Sequence, residues 1–133
     1  MVKVFLGGTC NESTWRDELK PMLTIDYFDP VVDDWNEDAQ RREAFEKATC
    51  DFRLYVITSA MTGVYSIAEV VDDSNKRPDG TIFCILEDGF TEGQLRSLHA
   101  VAKMVRDNGA TVCTSLDAVA EWLNRRQTVK DGK

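Results

Sequence analysis

The run V-K-V-F-L-G-G at residues 2–8 carries the pattern that decides the fold. Its first five residues form a β-rich, mainly apolar run, which is typical of a strand buried on both faces of a sheet. Gly7 and Gly8 end that run, and Trp15 and Leu19 then follow at helical spacing. The stretch therefore predicts a strand, a glycine-led loop and an amphipathic helix.

The same strand-loop-helix unit recurs along the chain. The predicted strands span residues 2–6, 27–32, 52–58, 81–86 and 110–114, and the predicted helices span 15–23, 36–49, 65–73, 91–108 and 116–125. Such alternation predicts an α/β fold with a parallel sheet covered on both faces. Right-handed crossovers favour a doubly wound, five-stranded sheet of order 2-1-3-4-5. We expect a single domain over residues 1–126, followed by a polar tail at 127–133.

Local signals refine several boundaries. Thr14 with Asp17, and Thr91 with Gln94, have the spacing of capping boxes at helix starts. Gly109 stands where glycine commonly ends a helix. These signals predict two helices that begin at residues 15 and 92.

The second strand and second helix are less regular. Pro30 interrupts the second strand, which indicates an irregular or edge position. The second helix carries a thin apolar stripe of Ala39, Phe45 and Ala48, which we expect to face the sheet.

Composition excludes several function classes. The 133 residues include 16 basic and 23 acidic side chains, a net charge of −7, which disfavours binding to a nucleic-acid polymer. Apolar runs stay well short of the ~20 residues that cross a membrane, so no membrane partner is expected. No secretory signal pattern opens the chain, and we expect a cytoplasmic protein.

The cysteines do not form a recognisable metal or disulfide pattern. Cys10, Cys50, Cys84 and Cys113 lie 29 or more positions apart, and His99 is the single histidine. We therefore expect no metal site and no disulfide framework, and we interpret the cysteines as small buried residues. Cys10 differs because it lies in the glycine-led loop.

The predicted strand order locates the candidate site. In a sheet of order 2-1-3-4-5, ligands bind outside the carboxyl ends of strands 1 and 3. The segments that meet there are residues 7–13 and 58–65. The first contains Gly7 and Gly8 but matches neither a dinucleotide fingerprint nor a phosphate-binding Walker loop. It either cradles a ligand or is a plain turn.

Glu69 lies early in the helix that follows the second of these segments. Its neighbours Ile67, Ala68, Val70 and Val71 are apolar, and a buried carboxylate is costly unless it is paired or used. Glu69 is therefore either a nucleophile or general base at the crevice, or a surface residue on the polar side of its helix.

Three further residues have two interpretations each. Asp34 and Trp35 follow the second strand and form either one wall of the crevice, with Trp35 on a planar ring, or a capping and packing cluster. Glu43 either faces the crevice or belongs to a solvated run of charges.

Several stretches together resemble the nucleoside 2-deoxyribosyltransferase-like family. They are residues 4–10, 28–35, 50–58, 65–71, 72–78 and 81–86, so the resemblance covers about residues 2–86. The Gly-Gly-Thr-Cys opening at 7–10 and the Tyr-Ser-Ile-Ala-Glu block at 65–69 are specific in combination.

The resemblance implies a flavodoxin-like sheet and a nucleoside or nucleotide ligand whose N-glycosidic bond is cleaved or exchanged. The family's nucleophile is a glutamate that begins the helix after the third strand, which corresponds to Glu69. A carboxylate eight positions before the acid that opens that strand corresponds to Glu43, counted back from Asp51. No metal or organic cofactor is implied.

Other roles follow on the same basis. Gly7, Gly8, Thr9 and Asn11 are expected at the sugar or phosphate, Asp34 and Trp35 at the base, and Tyr65 or Ser66 beside Glu69. The family also completes each pocket with a neighbouring subunit, so a homodimer or larger homo-oligomer is expected.

One departure leaves the activity open. The characterised transferases carry an aspartate six residues before the nucleophile, and this chain has Gly63 there. A transferase, a glycosidase, and a non-catalytic nucleotide-binding or signalling module all fit the sequence.

Overall fold

The computed structural model describes residues 2–10 and 13–126. In chain order the elements are β1 (Lys3–Gly8), α1 (Trp15–Leu19), β2 (Asp26–Phe28), α2 (Glu37–Thr49), β3 (Phe52–Ile57), α3 (Tyr65–Lys76), β4 (Thr81–Ile85), α4 (Glu92–Asp107), β5 (Thr111–Cys113) and α5 (Leu116–Asn124). Single 3-10 turns follow α1 at Lys20–Met22 and α3 at Pro78–Gly80. The expected tail at 127–133 lies outside the described residues.

The five strands form one parallel sheet of order β2-β1-β3-β4-β5, which confirms the predicted topology. β1 runs beside β3 from the pair Val4 and Phe52 to the pair Gly8 and Val56. The two edge strands, β2 and β5, are only three residues long each. The carboxyl ends of β1 and β3 are therefore adjacent, as a ligand site at the switch point requires.

Each face of the sheet has its own apolar core. One core joins α1 and α5 to the sheet through residues such as Trp15 and Leu123. The other joins α3 and α4 through residues such as Val70 and Leu98. Because both faces are covered, the central strands β1, β3 and β4 are buried at consecutive rather than alternate positions.

Helix α2 packs on the sheet with charged residues, which corrects the predicted apolar stripe. Phe45 is 64% exposed and Ala48 is exposed, whereas Glu46 is buried. Glu46 pairs with the Lys3 ammonium at 2.8 Å on β1. The helix has almost no apolar side, so ion pairs decide which face it presents to the sheet.

Two further local predictions were wrong. β2 ends at Phe28, before Pro30, because proline has no N–H to donate to the ladder. Thr14 does not form a capping box: its hydroxyl donates to the Glu18 carboxylate at 2.9 Å, and its backbone is not extended as an N-cap requires.

Other local predictions hold. Thr91 and Gln94 form a reciprocal capping box at the start of α4. Gly109 follows that helix with a φ of +106°, a conformation that suits glycine. Among the described residues, no helix has the length and apolar character needed to cross a membrane.

Candidate functional site

A cavity of about 250 Å³ lies at the carboxyl ends of β1 and β3. Its lining comes from the two loops that the sequence singled out, together with the start of α3. The lining residues are Gly8, Thr9, Cys10, Ile57, Met61, Thr62, Gly63, Tyr65, Ser66 and Ile67. The structure therefore brings Gly8, Thr9, Tyr65 and Ser66 together.

At Gly7 and Gly8, the last two residues of β1, atoms of β3 lie too close to leave room for a side chain. A Cβ on Gly8 would lie 2.1 Å from the Val56 carbonyl oxygen, and the residue has a φ of +118°. A Cβ on Gly7 would lie 3.0 Å from the ring of Tyr55. Gly7 thus leaves room for a buried tyrosine beneath the site, while Gly8 lets the chain turn against β3.

Thr9 is a buried anchor of the β1 loop. Its hydroxyl accepts the Thr58 N–H at 3.0 Å, which ties the two loops together. Its carbonyl accepts bonds from the Trp15 indole at 2.9 Å and from the Arg16 guanidinium at 2.8 Å.

Arg16 is a buried residue next to the site that the sequence analysis did not indicate. It also donates to the carbonyls of Leu6 at 3.0 Å and Gly8 at 3.4 Å. Burial lowers the pKa of its guanidinium, while Cys10 and Asp29 oppose that effect. Arg16 therefore fixes the end of β1 and brings a positive charge to the site.

Two carboxylates and one ammonium occupy the seam between α2 and α3. The Lys47 ammonium donates to Glu69 Oε2 at 2.6 Å, and their side chains are 22% and 18% exposed. Glu43 lies one turn before Lys47 on α2. Burial, and then the negative charge of Glu69, raise the pKa of Glu43, while Lys47 and Arg16 partly oppose them. The seam therefore places a carboxylate that is paired with an ammonium beside a second carboxylate whose pKa is raised.

A hydrogen-bonded cluster of Tyr55, Asp73 and Arg77 lies next to this seam. The buried Tyr55 hydroxyl donates to Asp73 Oδ2 at 2.5 Å, and the Arg77 guanidinium donates to Asp73 Oδ1 at 3.1 Å. The Lys47 ammonium lies 5.9 Å from the centre of the Tyr55 ring. Burial and Asp73 raise the pKa of Tyr55, so it remains a neutral donor. These contacts hold α3 on the sheet one turn beyond Glu69.

The remaining predicted residues fall outside the cavity lining. Glu69 is three residues after Ser66, on the same side of α3, and is half-buried rather than a free surface residue. Asp34 accepts a bond from the Asn36 amide at 3.1 Å, and Trp35 is 52% exposed. Asn11 lies outside the described residues.

Lys47 is the other residue that sequence reasoning missed. One signal was present: Glu43 and Lys47 are four residues apart, a spacing that puts both on one side of a helix.

Within the described chain, no group of three or more His, Cys, Asp or Glu side chains could hold a metal ion.

Cys10 is the exposed one of four free cysteines, and it lines the cavity. Burial raises the pKa of Cys50 to about 11 and that of Cys84 to about 12, and it also raises the pKa of Cys113. A disulfide reagent at about pH 8 should therefore modify one thiol per native chain, because thiolates are the reactive form. Mass spectrometry of wild type and Cys10→Ser after reaction checks this prediction. A second thiol of the native protein that is modified at a similar rate would contradict it. A small molecule that fills the cavity should slow the reaction.

One comparison with known proteins identifies the family of the chain. A family model described as nucleoside 2-deoxyribosyltransferase like matches residues 1–89, about two thirds of the chain. That range includes both loops, α2 and α3. No curated protein and no solved structure matches the chain. The chain belongs to the nucleoside 2-deoxyribosyltransferase-like family.

Proposed function

We propose that the protein cleaves or exchanges the N-glycosidic bond of a (deoxy)ribonucleoside or nucleotide, with Glu69 as nucleophile and Glu43 as general acid. The observation that carries this proposal is the α2–α3 seam beside the cavity, in which Glu69 pairs with Lys47 and the charges of both groups act on Glu43. Glycoside cleavage needs one carboxylate that attacks and one carboxyl group that donates a proton, and a carboxylate paired with an ammonium beside a carboxyl of raised pKa fits these two roles.

In the first step, the sugar sits against the β1 loop and C1′ faces Glu69. A carboxylate oxygen of Glu69 forms a bond to C1′ as the C1′–N bond breaks and its electron pair passes to the base. Glu43 gives its proton to that base, so no metal or organic cofactor is needed. The transition state has oxocarbenium character, which the negative charge of Glu69 stabilises.

In the second step, water or another base attacks C1′ and the ester bond to Glu69 breaks, so its electrons return to the carboxylate. The proton of the attacking group passes to Glu43. Two displacements give retention of configuration at C1′. A water acceptor makes the protein a hydrolase, and a base acceptor makes it a transferase.

A non-catalytic nucleotide-binding module is the second candidate. Gly63 supports it, because this position lines the cavity but offers no carboxylate to the base, and a Cβ there would meet only open space. The two functions differ in whether free base appears from a bound nucleoside.

Glu69→Gln should lower the rate of base release by at least about 100-fold, because an amide is a poor nucleophile. Chromatography of the free base after incubation with a panel of nucleosides and nucleotides measures this. Glu92→Gln, at an exposed position in the first turn of α4, is the matched control and should keep wild-type rates. A slow 2′-fluoro substrate should add one sugar mass to wild type but not to Glu69→Gln. Equal turnover in Glu69→Gln with an unchanged circular dichroism spectrum would contradict the mechanism.

Glu43→Gln should lower the rate by at least about tenfold, equivalent to about 1.4 kcal/mol. A general acid acts when protonated, and burial raises the pKa of Glu43, so wild-type activity should fall as pH rises through that pKa. The alkaline fall should be absent in Glu43→Gln and present in Glu43→Asp, which keeps the acid. An unchanged pH–rate profile in Glu43→Gln would remove Glu43 from the reaction.

We further propose that a second copy of the chain completes the pocket. A volume of about 250 Å³ is below the ~300 Å³ at which small-molecule pockets begin. Val64 and Tyr65 at its rim are 70% and 75% exposed, and a partner surface would cover them. Val70, further along α3, is buried in the core and is not part of this rim.

Light scattering at micromolar concentration should therefore give at least twice the 15.0 kDa of one chain. Val64→Asp should shift the protein toward monomer and weaken ligand binding, because the charge would be buried in the interface. Phe45→Asp is the matched control, since Phe45 is equally exposed but outside the cavity lining. A wild-type monomer that binds a nucleoside tightly would refute the shared pocket.

A further inference from the structure

Lys47 pairs with a carboxylate on α3 and lies one turn away from a second carboxylate on its own helix. Its ammonium contacts Glu69 Oε2 on α3 at 2.6 Å. Glu43 lies four residues before it on α2, so both side chains leave the same side of that helix. The order glutamate then lysine is the favourable one for an ion pair at this spacing. A small movement of one flexible side chain can therefore change the partner of the ammonium.

The charges of the three groups explain why such a change would accompany the proposed reaction. The proposed mechanism requires that, before attack, Glu69 is negative, Lys47 is positive and Glu43 carries the proton that it will donate. When Glu69 becomes an ester and Glu43 has given its proton to the base, the negative charge has moved to Glu43. The sum over the three groups is zero in both states. A half-buried ammonium that kept its first position would lose its charged partner, which is costly away from water.

We propose that Lys47 is a positioning residue that pairs with Glu69 in the resting protein and moves to Glu43 when Glu69 carries the sugar. This inference rests on the proposed function of the two carboxylates. It explains how one lysine serves both steps: it holds the nucleophile ionised and oriented before attack, and it then stabilises the deprotonated acid. When water or a base resolves the ester, the proton returns to Glu43 and Lys47 returns to Glu69.

The groups around Lys47 contribute to any titration of this site. Charged or titratable groups from four elements face the seam: Arg16 of α1, Glu43 of α2, Tyr55 of β3, and Glu69 and Asp73 of α3. The test must therefore change one of them at a time.

Glu69→Gln provides a stable imitation of the esterified state, because its side chain is neutral and of the same size. In this variant, Lys47 has lost its charged partner and should pair with Glu43. A crystal structure of Glu69→Gln should show the Lys47 ammonium within about 4 Å of a Glu43 carboxylate oxygen. An ammonium that stays at the substituted amide side chain, or turns to solvent, would overturn the proposal.

A titration of Glu43 gives an independent readout that needs no turnover. Carbon-13 NMR of labelled glutamate side chains should show that Lys47→Met raises the pKa of Glu43 more in the Glu69→Gln background than in the wild-type background. Lys47→Arg keeps the charge and should restore most of the effect. Lys76→Met is the matched control, because it removes an exposed lysine that pairs with Asp72 on α3. An equal or smaller effect of Lys47→Met in the Glu69→Gln background would overturn the switch.

Kinetics separates failure of this inference from failure of the proposed function. If wild type releases base, Lys47→Met should lower kcat by about tenfold or more and move both limbs of the pH–rate profile to higher pH, since removing a cation raises the pKa of neighbouring carboxyls. Lower kcat with unmoved limbs means a merely structural role for Lys47 and overturns the inference. If no nucleoside or nucleotide yields base, the proposed function fails, while the NMR and crystallographic results still decide whether Lys47 changes partner.

Discussion

The close approach of β1 to β3 is the constraint on which the site depends. At Gly8 the two backbones are so near that any side chain would collide with the Val56 carbonyl, and the chain can turn away only because glycine tolerates a positive φ. This approach makes the two loops adjacent. Thr9 then bonds to Thr58, and buried Arg16 binds the carbonyls at the end of β1. These contacts hold the two loops side by side, and the cavity lies between them.

The second constraint is electrostatic. Most of the sheet is covered by apolar helices, but α2 lies on it through Glu46 and Lys3, and it meets α3 through Lys47 and Glu69. Charged groups partly withdrawn from water must be paired, so each carboxylate here has a nearby cation. An apolar seam would be more stable in general, yet it could neither hold nor transfer a proton. The molecule thus has its least apolar packing where the chemistry is proposed.

Sequence reasoning succeeded where one physical signal was dominant. The continuous apolar runs of β3 and β4 and the Thr91–Gln94 capping box left little choice of structure, and the strand order followed from handedness. It failed at α2, because a helix without an apolar side takes its orientation from partners on other elements. Lys47 was missed for the same reason, since its partner Glu69 lies on another helix. Arg16 was missed because it binds backbone carbonyls at the end of β1, which the type and spacing of side chains do not indicate. Their roles depend on tertiary contacts that spacing alone does not reveal.

The short edge strands have a consequence for how copies of the chain can meet. A sheet grows from one molecule into the next when an edge offers a long row of unpaired N–H and C=O groups. Here Pro30 follows soon after β2, and β5 offers only three residues. Neither border is a good template for another strand, which also protects the chain against amyloid-like stacking. The proposed association of two copies would therefore use the loops and helices at the carboxyl end of the sheet, where the second copy would cover the cavity.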